Sequence, residues 1–345
     1  MPKHSTTPLL RRKATLAADA AGVTVAVGAG LMLSQASAGQ AAAPRLPAAN
    51  MSFDYQIGAP YTPPKGVRAV SRDRSAPPAA GLYNVCYVNA FQAQPDALDW
   101  WQKTHPDLVL RDSSRRPVVD EDWGEALIDT STADKRTRLA KVVGDWITGC
   151  ARSGYQAVEP DNLDSFSRSG GRLTKAHNAA FAKLLADRAH AAGLAIGQKN
   201  TAELLPDRAK IGFDFAVAEE CGQYDECGDF AKACANRVFV IEYQNSGYSK
   251  ACSSWGPKLS IVQRDLDVTA PGTKAYRFRT CCPTPRTGPG PGPCRRPALV
   301  RRDSGRAGGR SDQGAQGSRT ASISVSSSRA STSAAGPATL VAHRS

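Results

Sequence analysis

From Thr132 onward apolar residues fall at Leu139, Val142, Val143, Trp146, Ile147 and Cys150. That spacing places them on one face and predicts a helix, which Gly154 ends. The next residues, YQAVEPDN, form a short apolar strand that runs into acids and amides. The unit then recurs. A helix from about Thr174, with Phe181, Leu184, Leu185 and Ala189 inward, stops at Gly193 and yields LAIGQKN. A segment stopping at Gly212 yields FDFAVAEEC, and another ending near Asn236 yields RVFVIEYQN. Further strands are predicted at 53–57, 67–73, 83–89, 108–112, 125–130 and 258–265.

Strands that alternate with helices of this length, and that are apolar on both faces, predict parallel βα units. Polar residues gather at the C-terminal ends of the strands, where a (β/α)8 TIM barrel builds its active site. A doubly wound open sheet would also place ligands there, but no G-x-G-x-x-G follows any strand, which favours the barrel. The candidates slightly exceed eight, so one or two are decoration or false.

A 345-residue chain with 41% hydrophobic content can form a substantial core. The net charge of +13 would suggest a nucleic-acid partner if it covered a folded face. Its distribution argues against one: residues 51–282 hold 29 Lys/Arg and 28 Asp/Glu, so the excess sits in the terminal segments. Lys3, Arg11, Arg12 and Lys13 precede the apolar run AAGVTVAVGAGLML and then Ala36-Ser37-Ala38, so residues 1–38 read as an export signal rather than a stable membrane span. Residues 39–50 read as an Ala/Pro linker, 51–282 as the barrel, and 283–345 as a basic tail rich in Pro, Gly, Ser and Arg, expected to be disordered.

Cysteine usage agrees with a secreted protein. Cys86, Cys150, Cys221, Cys227, Cys252 and Cys281 can form three disulfides, with Cys221–Cys227 the favoured single pairing. Cys234, Cys282 and Cys294 are left over. No C-x-x-C spacing supports structural zinc, and neither G-x-S-x-G, H-E-x-x-H nor a Walker loop occurs.

The densest polar stretch is AVEPDNLDSF, which sets Glu159, Asp161, Asn162 and Asp164 just past an apolar strand. Ionised carboxylates withdrawn from water without partners are costly, so such crowding points to a use. Period-two alternation puts Glu159 and Asp161 on one face of their strand, and Val217 and Glu219 on one face of theirs. If both strands line a barrel, Asp161 and Glu219 face each other across its mouth. Two such carboxylates suit glycoside hydrolysis. Tyr55, Phe91, Trp100, Trp101, Trp123 and Tyr224 are available to stack on sugars, although core packing accounts for most such aromatics. Two rival readings are a barrel that binds carbohydrate without turnover and a hydrolase using a metal held by Glu159, Asp161 and Asp164.

The ordered set FDYQIG, RDR, YNVCYVNAFQAQP, DLVLRD, GYQAVEPDNLDSFSR, GLAIGQKN, GFDFAVAEECGQYDEC, VIEY and QRD, from about Phe53 to Cys281, resembles glycoside hydrolase family 114, the endo-α-1,4-polygalactosaminidase type. The resemblance implies a (β/α)8 barrel that hydrolyses α-1,4-linked galactosamine-containing polymers with no cofactor. It maps the paired acids onto Asp161 and Glu219, with Glu220 in reserve. Asp161 is then nucleophile or base and Glu219 the general acid/base. Asp54, Tyr55, Glu159, Asn162, Asp164, Lys199, Asn200 and Glu242 are expected to orient sugar or tune charge. The implied partner is an amino-sugar polysaccharide, cationic where it is not acetylated.

Overall fold

The computed structural model describes residues 43–281, all within one compact unit. The export-signal and tail assignments, with Cys282 and Cys294, lie outside the described residues. Among the described residues are twelve strands: β1 (Phe53–Gln56), β2 (Ala69–Asp73), β3 (Tyr83–Asn89), β4 (Gln92–Ala93), β5 (Val119–Asp120), β6 (Glu125–Leu127), β7 (Ala157–Asp161), β8 (Ala195–Lys199), β9 (Phe215–Glu219), β10 (Val238–Glu242), β11 (Ser260–Arg264) and β12 (Phe278–Thr280). Six α-helices accompany them: α1 (Leu98–Thr104), α2 (Ala133–Ser153), α3 (Lys175–Ala191), α4 (Arg208–Ile211), α5 (Cys227–Ala233) and α6 (Asn245–Trp255).

Eight strands run parallel in the order β1-β2-β3-β7-β8-β9-β10-β11, with β12 antiparallel on the β11 edge. This is the expected TIM barrel, nearly closed. Contacts between the ends of the sheet draw it shut: Arg264 pairs with Asp54 at 3.2 Å, and the Met51 N–H donates to Ser260 Oγ at 2.8 Å. Each of the eight strands contributes to one interior cluster that includes Phe53, Tyr55, Ala69, Val85, Ala157, Ala195, Phe215, Phe239 and Val262. The outer faces of β3 and of β7 to β11 pack under the helices, whereas Val70 of β2 packs against the loop residues Ala79 and Leu82. Small residues alternate with aromatic ones inside, and Gly197 shows why. A Cβ there would lie 2.7 Å from the Phe215 ring, so only glycine leaves room for that side chain.

The helices end where their sequences require. Thr132 Oγ1 accepts from the Lys135 N–H at the start of α2, and Gly154 ends it in the left-handed conformation. Thr174 and His177 form a reciprocal capping box on α3. Between β1 and β2, and between β2 and β3, no helix occurs among the described residues. Pro60, Pro63, Pro64, Pro77 and Pro78 lie in those connections, and proline removes an N–H donor and disfavours helical geometry in the residue before it.

Two predicted strands lie outside the barrel. Residues 108–112 make only isolated bridges, Val109 to Ile128 and Arg111 to Pro117. Residues 125–127 become β6, the centre of a small antiparallel sheet ordered β4-β6-β5. Their apolar pattern is real but serves an excursion between the third and fourth barrel strands. The disulfides are Cys86–Cys150, Cys221–Cys227 and Cys252–Cys281, which tie β3 to α2, close the loop after β9 and fasten α6 to the end of β12. Cys234 is a buried thiol whose pKa burial pushes up to about 11, so it resists oxidation.

Candidate active site

The ends of β7, β8 and β9 deliver Asp161, Lys199 and Glu219 side by side. Lys199 Nζ lies 3.0 Å from Asp161 Oδ2 and 3.3 Å from Glu219 Oε2, so those two oxygens are at most about 6.3 Å apart. The same nitrogen lies 3.3 Å from Glu159 Oε1 and 3.2 Å from the Tyr55 hydroxyl. Glu159 is sealed from solvent and accepts from Tyr55 OH at 2.8 Å and Ser71 Oγ at 2.7 Å. Lys199 is also buried, whereas the Asp161 and Glu219 side chains remain 14% and 24% exposed, so of these four charged groups only that pair reaches the mouth.

Each member of the pair is held from both sides. Asp161 accepts from the Tyr87 hydroxyl at 2.8 Å and the Asn162 N–H at 2.6 Å. Glu219 accepts from Tyr243 OH at 2.5 Å and Asn200 Nδ2 at 3.0 Å. Asn200 Oδ1 also accepts from the Glu219 N–H, which fixes that amide's orientation. Burial alone would raise Asp161, but the Lys199 ammonium and the two hydrogen bonds outweigh it and hold the carboxyl below its usual range. Burial pushes Glu159 up to about 7 against the pull of Lys199. Burial also disfavours the charge on Lys199, yet Asp161, Glu219 and Glu159 together raise its pKa well above the ordinary lysine value. Tyr55, Tyr87 and Tyr243 are raised mainly by burial and stay protonated as donors.

Above the pair lies a cleft of about 570 Å³. Eight acidic side chains line it against one arginine: Asp120, Asp122, Glu125, Asp161, Asp164, Glu219, Glu220 and Asp267 face Arg168. Of the six aromatics available from the sequence, Trp123 and Tyr224 line this cleft, 55% and 66% exposed. Tyr55 lies beneath the pair, Phe91 and Trp101 are core, and Trp100 is exposed on α1 away from the cleft.

The candidate residues therefore divide. Tyr55, Glu159, Asp161, Lys199, Asn200 and Glu219 form one hydrogen-bonded network. Asn162, Asp164 and Glu220 line the cleft beside it. Asp54 does not reach it: Phe53 and Tyr55 point into the barrel, so Asp54 lies on the opposite face, where it pairs with Arg264 and accepts from Gln56 Nε2. Glu242 is also placed elsewhere. Phe239 and Ile241 occupy the interior, and the Glu242 carboxylate is buried against Gly222 and Gly247, accepting the Gly222 N–H at 2.6 Å. A Cβ on Gly247 would overlap Glu242 Oε2. The three acids of the metal reading do not meet at one point: Glu159 and Asp161 turn to Lys199, and Asp164 makes a bidentate pair with Arg168 at 2.9 Å. Among the described residues, the one cluster with metal-ligand proximity is Cys221, Cys227 and Glu242, and its two sulfurs are joined in a disulfide.

The site also contains Tyr243, a polar residue just past the end of β10, and Ser71, Tyr87, Glu125 and Arg168, which the sequence reading left out of the site. For Tyr87 a signal exists, since alternation along YNVCYVN places it beside Glu159 across the ladder. Ser71 and Arg168 carry no comparable signal.

A TIM barrel whose mouth holds a positioned carboxylate pair under a sugar-sized acidic cleft has the form of a glycoside hydrolase. The comparison with known families agrees: residues 34–282 match glycoside-hydrolase family GH114, and the chain belongs to that family. Among solved structures it is similar to Aspergillus fumigatus Ega3 in complex with galactosamine, at 24% identity over 69% of this chain and 98% of that one, with a TM-score of 0.56. It is also similar to the glycoside hydrolase domain of PelA from Pseudomonas aeruginosa, at 15% identity over 66% of this chain and 98% of that one, with a TM-score of 0.45. No curated protein sequence matches the chain.

Proposed function

We propose that the protein is an exported, endo-acting glycosidase that cleaves α-1,4-linked galactosamine-containing polysaccharide by double displacement. The observation that carries this reading is the placement of Asp161 and Glu219 on one buried lysine, with their nearer oxygens at most about 6.3 Å apart. Carboxyl groups roughly 5–5.5 Å apart support retention, whereas inversion needs about 6.5–9.5 Å to admit a water between them.

In the first step Asp161 attacks the anomeric carbon while the glycosidic oxygen leaves with a proton from Glu219. In the second, water gives a proton to Glu219 and attacks the same carbon, releasing Asp161. Lys199, Tyr87 and the Asn162 N–H keep Asp161 ionised for attack. Glu219 must alternate between acid and base. The Tyr243 hydroxyl can donate to Glu219 Oε1 in both states, so the exchanged proton is not tied up by it and remains available to the glycosidic oxygen.

The acidic cleft supports a cationic substrate, because a wall of one sign concentrates the opposite sign at its mouth. The amino sugar seen with Ega3 fits that requirement. Trp123 and Tyr224, exposed in the cleft, offer faces on which sugars can stack. Three disulfides support an oxidising, extracellular setting, and no helix among the described residues is long and apolar enough to cross a membrane.

Incubating the purified protein with de-N-acetylated galactosaminogalactan, with and without EDTA, tests the reading. Shortened chains with equal rates in both arms are expected. Binding without cleavage would replace the enzyme with a carbohydrate-binding barrel, and EDTA-sensitive cleavage would replace the mechanism with a metal-dependent one.

A further inference from the structure

The acids of the cleft wall differ in what neutralises them. Asp161 and Glu219 share Lys199. Asp120 and Asp164 share Arg168, at 2.7 and 2.9 Å. Asp122 and Asp267 are exposed to water, and the Glu220 carboxylate has no side-chain partner to fix its direction among the described residues. Glu125 fits none of these cases. It is half-buried, it forms no ion pair among the described residues, and it is nonetheless held in place. Its Oε2 accepts from Asn89 Nδ2 at 2.8 Å and from Asn162 Nδ2 at 3.2 Å. Its Oε1 has no partner among the described residues.

Asn162 ties this carboxylate to the reaction centre. Its φ of 67° is a left-handed conformation that asparagine tolerates better than most residues. In that conformation its backbone N–H faces Asp161 while its side-chain amide reaches Glu125. One residue thus sets the position of both carboxylates. Burial, then Asp161 and Asp120, push the Glu125 pKa up against the Asn89 hydrogen bond and the attraction of Arg168, which makes no direct pair with it. A partly desolvated anion without a cation is unfavourable unless a ligand supplies one.

We propose that Glu125 is a specificity-determining residue whose free Oε1 receives a substrate ammonium beside Asp161, so that the enzyme selects sugars with a free amine at that subsite. This rests on the proposed reading of the cleft as a substrate site. The amine of a de-N-acetylated sugar supplies a positive charge and up to three donors to Oε1. An N-acetyl group supplies one neutral N–H, adds bulk and leaves the carboxylate uncompensated. Charge-assisted hydrogen bonds are roughly twice as strong as neutral ones, so selection of about tenfold or more is expected from this contact alone.

The test is calorimetric titration of the Asp161→Asn protein with a fully de-N-acetylated α-1,4-galactosamine oligosaccharide and with its N-acetylated counterpart. The first should bind at least about tenfold tighter, and adding Glu125→Gln should remove most of that preference while leaving acceptors for Asn89 and Asn162. Should the glutamine variant fail to fold, Glu125→Asp retains the charge with a shorter reach and should lose part of the preference. Unchanged preference, an equal loss for both oligosaccharides, or absence of binding by either would overturn the proposal. The titration needs no turnover, so a protein that discriminates but does not cleave would overturn the hydrolase reading and leave this one standing.

Discussion

Asp161→Asn should reduce cleavage of de-N-acetylated galactosaminogalactan by roughly 10⁴-fold or more, and Glu219→Gln by roughly 10²–10⁴-fold, with folding intact in both. The amide introduced at position 161 cannot attack an anomeric carbon, yet it occupies the same volume and its oxygen can still accept from the Asn162 N–H. The glutamine introduced at position 219 keeps one oxygen to accept from Asn200 and turns its NH2 to the Tyr243 hydroxyl, which can accept from it, but it cannot exchange a proton. Both variants leave Lys199 with at least one carboxylate from the pair, and Glu159 remains beneath it. Near-native melting temperatures should therefore accompany the lost activity. Full activity in either variant would remove that residue from the assigned pair.

Lys199→Met should have the largest effect on stability, about 3–5 kcal/mol at neutral pH, because it leaves three carboxylates sharing a buried space without their cation. The pH dependence has a definite sign. In the wild type the Asp161 pKa is depressed, so its contribution to stability is present above the unfolded value near 3.9 and is lost as pH falls through the folded value. Without the ammonium only the Asn162 and Tyr87 hydrogen bonds oppose burial, and the folded pKa should rise above the unfolded one. The contribution then reverses: Asp161 costs nothing below about pH 3.9 and destabilises increasingly as pH rises through its new folded value. Denaturant unfolding of both proteins at pH 4 and pH 7 checks this. The deficit of the variant should be much larger at pH 7, and an equal deficit at the two pH values would show that Lys199 acts through packing alone.

The sequence makes the pair legible because alternation along a buried strand fixes which side chains share a face, and an apolar residue two positions earlier shows which face is inward. Ala157 and Glu159 precede Asp161 in this way, and Phe215 and Val217 precede Glu219. The same rule accounts for the two candidates placed elsewhere. Asp54 follows inward-facing Phe53, and Glu242 follows inward-facing Ile241, so each lies on the outer face although each stands at or near a strand end. Position at a strand end is therefore insufficient without the face. Residues contributed by the excursion between β3 and β7 are harder to read. Glu125 belongs to a three-residue strand of a separate sheet, and its place in the cleft depends on how that sheet folds over the barrel rather than on any local period. A partner such as Ser71 is an ordinary strand residue until its hydroxyl is seen to meet Glu159. The two strands outside the barrel show the converse case, since an apolar run of four or five residues reads alike in a barrel wall and in a side sheet.

If Asp161 and Glu219 carry out two successive displacements at one anomeric carbon, the configuration there is retained. Proton NMR of the first reducing ends released from an α-linked galactosamine oligosaccharide tests it most directly. The α-anomer should appear first and mutarotate afterwards. Initial release of the β-anomer would show a single displacement by water and would contradict it.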